Sequence, residues 1–132
     1  SLGKLYSVPM YRLVARHLQP QGKIVVQSTS PYFAPNAYWS VVATLEAASL
    51  YTAPYHVYVP SFGEWGFVLA GFDKQFPVPQ KFDVPTRYLN AQTAAEMFLF
   101  PPDMARRKVE PNYLNNQILV SYFENDWRNV TR

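Results

Sequence analysis

Two short stretches of the chain carry groups that could do chemistry together. Gln27-Ser28-Thr29-Ser30 follows one β-branched run, and Pro60-Ser61-Phe62-Gly63-Glu64-Trp65 follows another. In open α/β sheets ligands bind beyond the carboxyl ends of parallel strands. If the two runs lie parallel, both stretches share one sheet edge. The pocket they line then holds the Gln27 amide, hydroxyls, aromatic surface from Phe62 and Trp65, and the Glu64 carboxylate. Such a pocket suits a small amine or other polar ligand better than a phosphate. Structural uses compete with this reading: Gln27 can tie down a loop, and Trp65 can be core.

Other chemistries find less support. His17 and His56 fall on different elements without metal-ligand spacing. His17, close to a helix C-terminus, reads as a residue compensating the helix dipole. Ser28, Thr29 and Ser30 lack the strand–turn–helix setting of a hydrolase nucleophile. Glu46 sits within a helical pattern and Asp103 follows Pro101-Pro102, where it starts a turn or caps a helix. No carboxylate stands out as a general base, so no catalytic residue and no metal site is assigned. The chain has no cysteine, which excludes disulfides, thiol nucleophiles and cysteine zinc sites.

The 132 residues suffice for one domain with a real core, and 48% hydrophobic against 16% charged residues describe a folded chain. The net charge of +3 is scattered apart from Arg106-Arg107-Lys108. That cluster reads as a solvated helix end rather than a phosphate patch, so nucleic acid is not an expected partner. No apolar run reaches the roughly 18 residues of a membrane span, and residues 1–16 do not resemble a signal peptide. The chain lacks an initiator Met and a helical pattern begins almost at once. Both fit a piece of a longer protein, with Ser1 as a cloning remnant.

The elements that must position the two stretches are legible. An apolar stripe predicts a helix from Leu5 to Leu18, capped by Ser7, with Pro9 tolerated in its first turn and Pro20 and Gly22 stopping it. Lys23 to Gln27 reads as a short buried strand. A second helix is expected from Ala37 to Leu50, capped by Asn36, with Pro54 separating it from a hairpin. That hairpin spans Tyr55 to Gly71: Tyr55, Val57 and Val59 alternate with His56 and Tyr58, and Trp65 to Ala70 is almost wholly apolar. The first strand, second helix and next strand make a β–α–β crossover, and the last strand returns antiparallel. This is the back half of an open α/β, Rossmann-like sheet. No G-x-G-x-x-G or P-loop occurs. Residues 1–72 form this part. Residues 73–132 read as a Pro-rich connector and a helical tail, with helices from about Asn90 to Leu99 and from Tyr113 to Trp127.

Four segments in order carry a family resemblance. They are Leu5-Tyr6-Ser7-x-x-Met10-Tyr11; Leu18-x-Pro20-x-Gly22-x-Ile24-Val25-Val26-Gln27; Val59-Pro60-Ser61-Phe62-Gly63-Glu64-Trp65-Gly66-Phe67; and Arg87-Tyr88-Leu89-Asn90 with Met97-Phe98-Leu99-Phe100-Pro101. From about Leu5 to Arg107 the chain resembles the C-terminal half of spermidine synthases, the polyamine aminopropyltransferases. The tail resembles a bacterial branch in which this domain follows a multi-pass membrane region. The resemblance implies a methyltransferase-type Rossmann fold on the cytoplasmic side of a protein at the cell membrane. It also implies transfer of an aminopropyl group from decarboxylated S-adenosylmethionine to putrescine. The family's cofactor loop and catalytic aspartate precede the segment matching Leu5, so no cofactor-binding residue is expected here, and the chain alone should be inactive. Gln27 matches a strand-end glutamine near the amine, and Phe62 falls where the family has a tyrosine. Phe62 lacks that hydroxyl, and Glu64 is added at a shortened tip. Two other readings stay open: a non-catalytic binding or regulatory module on the same scaffold, and a related S-adenosylmethionine-dependent methyltransferase. A homodimer through an exposed sheet edge is expected of the isolated chain.

Overall fold

The computed structural model describes residues 2–130. After a 3-10 turn (Leu2–Tyr6), the chain forms α1 (Val8–Arg16), β1 (Lys23–Gln27), α2 (Pro35–Ala47), β2 (Tyr51–Val59) and β3 (Gly63–Gly71). The tail adds α3 (Ala91–Glu96), a 3-10 turn (Pro102–Met104) and α4 (Ile118–Val130). The architecture is α/β, a partial Rossmann-like unit with an open three-stranded sheet.

The first helix starts three residues later than its apolar stripe suggests. Ser7 is extended, and its Oγ accepts from the Met10 N–H at 3.4 Å, with Pro9 in the first turn. An N-cap with non-helical backbone ends the helix there, so Leu5 falls in the preceding turn and is exposed. His17 forms the C-cap.

α2 departs from expectation at both ends. It begins at Pro35, and Ala34 at the N-cap makes no side-chain bond. Asn36 therefore lies inside the first turn and cannot cap. A distant group does so instead: Asp126 of α4 accepts from the Ala37 N–H at 2.9 Å and from Asn36 Nδ2 at 2.8 Å. At the other end Ser49 adopts a left-handed φ of 68°. Leu50 N–H reaches back to the Leu45 carbonyl and Ser49 N–H to that of Glu46, a Schellman closure. The helix thus stops before Leu50, which turns back into the core. Tyr38, Val42 and Leu45 of α2 are wholly buried against Val8, Tyr11, Val68 and Ala70. Each such aliphatic side chain contributes about 1.5–3 kcal/mol.

The strand order is β1-β3-β2, with β3 antiparallel to both neighbours. β1 and β2 are therefore parallel, as the crossover requires, but they are not adjacent. The near-continuous apolar run of the third strand takes the central place between them, where both faces need covering. β2 starts at Tyr51, so Pro54 lies within the strand rather than before it. β2 is an edge strand, where proline's missing N–H need not break a ladder bond.

The tail turns back onto this unit. Met97 accepts the His56 N–H at 3.0 Å along the outer edge of β2. Phe98 then meets Tyr55 on one face of the sheet, and Phe100 meets Tyr38 and Trp39 on the other. α3 is shorter than expected, Ala91–Glu96, and is closed by a reciprocal Asn90–Thr93 capping box. α4 begins five residues later than its pattern suggests. Asn116 Oδ1 accepts from the N–H groups of Tyr113 and Ile118, and Gln117 adopts a left-handed φ of 43°, which holds the preceding residues in turns.

An ion pair fastens the tail to α2. Arg106 straddles Glu46 with contacts of 2.5 and 3.1 Å and lies over the Trp39 ring, while Thr52 Oγ1 also donates to Glu46. The Arg106 hydrogen bonds hold the Glu46 carboxyl below its ordinary pKa against the opposing effect of burial. A carboxyl lowered in the folded state stabilises fully above its unfolded pKa, and the contribution is lost as pH falls through the folded value. Glu46→Gln should therefore cost about 0.2–1 kcal/mol at neutral pH, the range of a partly exposed pair. The gap from wild type should close as pH drops below the ordinary carboxylate range. Urea unfolding of both proteins across acid pH measures it.

Candidate functional site

Gln27 ends β1 opposite Phe67, while β2 and β3 run on four more residues to Val59 and Gly63. The hairpin tip therefore projects about 14 Å beyond the level of Gln27 at roughly 3.4 Å per residue. The carboxyl ends of the two parallel strands share one edge, but they are staggered.

The loop after β1 is held by β3. Ser28 N–H donates to the Gly66 carbonyl at 2.9 Å, and Gly66 N–H donates to that of Thr29 at 2.6 Å. Thr29 has a left-handed φ of 59°, a conformation that neighbouring contacts must enforce. Gly66 is what lets the loop approach. A Cβ there would lie 2.4 Å from the Tyr38 ring and 2.8 Å from the Thr29 oxygen. The hydroxyls have local work: Ser28 Oγ donates to the Val26 carbonyl, and Ser30 Oγ accepts from the N–H groups of Tyr32 and Phe33. The Tyr38 hydroxyl lies 2.9 Å from the Phe67 carbonyl and 3.2 Å from that of Tyr55. Burial pushes its pKa far up, so it stays a donor bridging helix and sheet.

Gln27, Ser28 and Thr29 line a cavity of about 400 Å³. Its other walls are Gly3 and Tyr6 before α1, Ala37 and Val41 of α2, and Leu119, Val120 and Phe123 of α4. The volume lies within the range of small-molecule sites. Gln27 is exposed, and its amide has no hydrogen-bond partner among the described residues. It is thus a polar group available at the margin of a largely apolar space.

Phe62, Glu64 and Trp65 do not line this cavity. Phe62 is 67% exposed at the tip and meets the half-buried Trp65 edge-on at 6.2 Å. Trp65 Nε1 is buried without a hydrogen-bond partner among the described residues. Glu64 lies at the start of β3, and its carboxylate is 2.8 Å from His56 Nδ1, while His56 Nε2 lies 2.5 Å from the Leu99 carbonyl. The acid at the tip therefore has a partner on β2. Among the described residues no cluster of three His, Cys, Asp or Glu could hold a metal. No helix among them is long and apolar enough to cross a membrane.

Sequence reasoning missed Asn112, Asp126 and the cavity face of α4. Asn112 is fully buried; its Nδ2 donates to the carbonyls of Gly3 and Tyr6, and its Oδ1 accepts from Leu119 N–H. The one local signal is Asp126, a polar residue within the periodic segment of the tail; Asn112 lies in the connection before it.

Residues 2–82 match the model of the spermine/spermidine synthase domain. The chain belongs to the spermine/spermidine synthase family. It is 59% identical over 133 residues to polyamine aminopropyltransferase 2 of Ralstonia nicotianae, a match covering 100% of this chain and 26% of that protein. The polyamine aminopropyltransferase of Leptospira interrogans is 45% identical over 98% of this chain and 26% of its own length. That of Mycobacterium tuberculosis is 39% identical over 96% and 24%. The chain thus spans about a quarter of the length of the curated relatives it matches. The family domain stops before α3 and α4, whereas the similarity to these relatives continues through the tail.

Proposed function

We propose that this chain supplies the amine-binding side of a polyamine aminopropyltransferase. In the longer protein an aminopropyl group passes from decarboxylated S-adenosylmethionine to a diamine such as putrescine. The amine lone pair attacks the methylene carbon beside the sulfonium. The carbon–sulfur bond breaks, methylthioadenosine leaves, and a base takes the amine proton. The reading is carried by Gln27, which presents an unengaged amide beside an apolar cavity at the end of β1 in a chain similar throughout to aminopropyltransferases. Its carbonyl oxygen accepts from the amine and orients it. The base and the nucleoside-binding groups lie outside this chain, so the 132 residues alone should not turn over. Outside this cavity, on the projecting hairpin tip, Phe62 and Trp65 offer ring faces to a second ammonium group, and Glu64 offers that group an anionic contact in competition with His56.

The test is turnover by the full-length protein with decarboxylated S-adenosylmethionine and putrescine. Spermidine and methylthioadenosine are the expected products, and the product mass distinguishes aminopropyl from methyl transfer. Gln27→Ala should raise the amine KM roughly tenfold, the upper end of what one neutral hydrogen bond contributes, and leave methylthioadenosine affinity unchanged. Unchanged amine affinity in Glu64→Gln would remove Glu64 from the site.

A second reading, a non-catalytic binding module, is favoured by Phe62, which has no hydroxyl to offer the amine, and by the engagement of Glu64 with His56. Polyamine binding without product in the full-length protein would select it. We also propose that the isolated chain dimerises through β1, whose outer edge carries no strand among the described residues. Light scattering across concentration reads this directly, and a monomer throughout would refute it.

A further inference from the structure

Three residues of α4 lie on one face at spacings of four and three: Leu119, Phe123 and Asp126. Two of them fasten the helix. Leu119 N–H donates to the buried Asn112 side chain at 3.1 Å, and the buried Asp126 carboxylate caps α2 through Ala37. Phe123 lies between these two fixed points. With Leu119 and Val120 it forms the wall of the 400 Å³ cavity contributed by the tail, while Gln27 stands on the β1 side. Phe123 is further set by an edge-on contact with Trp127 at 5.9 Å. The wall lies beyond residues 2–82, so the family domain does not supply it.

We propose that α4 is the specificity wall of the amine site. Leu119 and Phe123 contact the aliphatic spacer of an α,ω-diamine whose amine is held by Gln27, and so set the spacer length accepted. Asp126 acts as a positioning residue that holds the wall in place. This rests on the amine-site reading above. The chemistry fits: a carbon chain is recognised by apolar contact alone, and a rigid wall discriminates by one methylene, worth roughly tenfold or more. An α4 free to slide would not discriminate in this way. Its anchoring at Asn112 and Asp126 removes that freedom.

The experiment uses the full-length protein with diamines of three, four and five carbons, measured by turnover and, separately, by calorimetric binding. Phe123→Ala should shift the five-carbon over four-carbon preference in kcat/KM roughly tenfold toward the longer diamine. The change should appear in KM rather than kcat, with methylthioadenosine affinity unchanged. Phe123→Leu should restore most of the wild-type ratio. Asp126→Ala should blur the ratio in the same direction although it does not line the cavity. A ratio unmoved in folded Phe123→Ala overturns the proposal, and one unmoved in folded Asp126→Ala overturns the positioning role. If wild type binds diamines without transferring to them, the transferase reading fails, and the same shift in binding ratio still supports the wall. If it binds none, both fall.

Discussion

Asn112→Ala is expected to destabilise the protein by about 3 kcal/mol. The side chain is fully buried and satisfies three backbone groups: the carbonyls of Gly3 and Tyr6 and the N–H of Leu119. Truncation removes the Asn112 bond from each of these groups, at roughly 1–3 kcal/mol for any that is left buried and unpaired. The backbone of Asn112 keeps its own bonds, to the Thr44 hydroxyl and from Val8 N–H, so the loss is confined to the side chain. A domain of this size has only about 5–15 kcal/mol in total, and urea unfolding should show a clearly lower midpoint. The effect should also be regional. Amide exchange should accelerate in α4 and in the turn before α1, which Asn112 joins across more than a hundred residues of chain. A midpoint within about 0.5 kcal/mol of wild type would mean that water replaces the amide and that α4 is held by other contacts.

Gly66→Ala is expected to cost about 1–3 kcal/mol or more through overpacking and to disturb the Gln27 loop. The new methyl would overlap Tyr38, which is wholly buried and tied by its hydroxyl to the sheet. The ring therefore cannot swing aside. If the strand yields instead, it strains the paired bonds from Gly66 to Ser28 and Thr29. Those bonds hold Thr29 in its left-handed conformation, so amine binding should weaken along with stability. A double-mutant cycle isolates the cause. In a Tyr38→Leu background the same substitution should cost markedly less. Strictly additive losses would show that the ring is not what Gly66 accommodates.

Legibility in the sequence divides along chain distance. Ser7 capping α1 and the bounds of the Lys23–Gln27 strand each need only residues a few positions apart, and the sequence is enough to read them; the burial expected of β1 is not, because that edge strand is left partly exposed. The departure at Phe62 is legible too, because it is a residue identity rather than an arrangement. The sequence order β–α–β also determined that β1 and β2 run parallel, because the crossover leaves few alternatives. It did not determine that β3 lies between them. Strand order is chosen by which pairing buries the most apolar surface, and that depends on the whole sheet. The same reason explains Pro54, which looks like a breaker until β2 is known to be an edge. It also explains Asn36, which looks like a cap until Asp126, ninety residues away, takes that role. The pairing of Glu64 with His56 is not legible in the sequence because the two lie diagonally across the hairpin. The cavity itself could not be read locally, since Gln27 and Phe123 meet the same space only after α4 has docked on α2. The sequence alone determined the elements and the family resemblance. Only the tertiary structure decided which side chains face Gln27, because that is set by contacts between residues far apart in the chain.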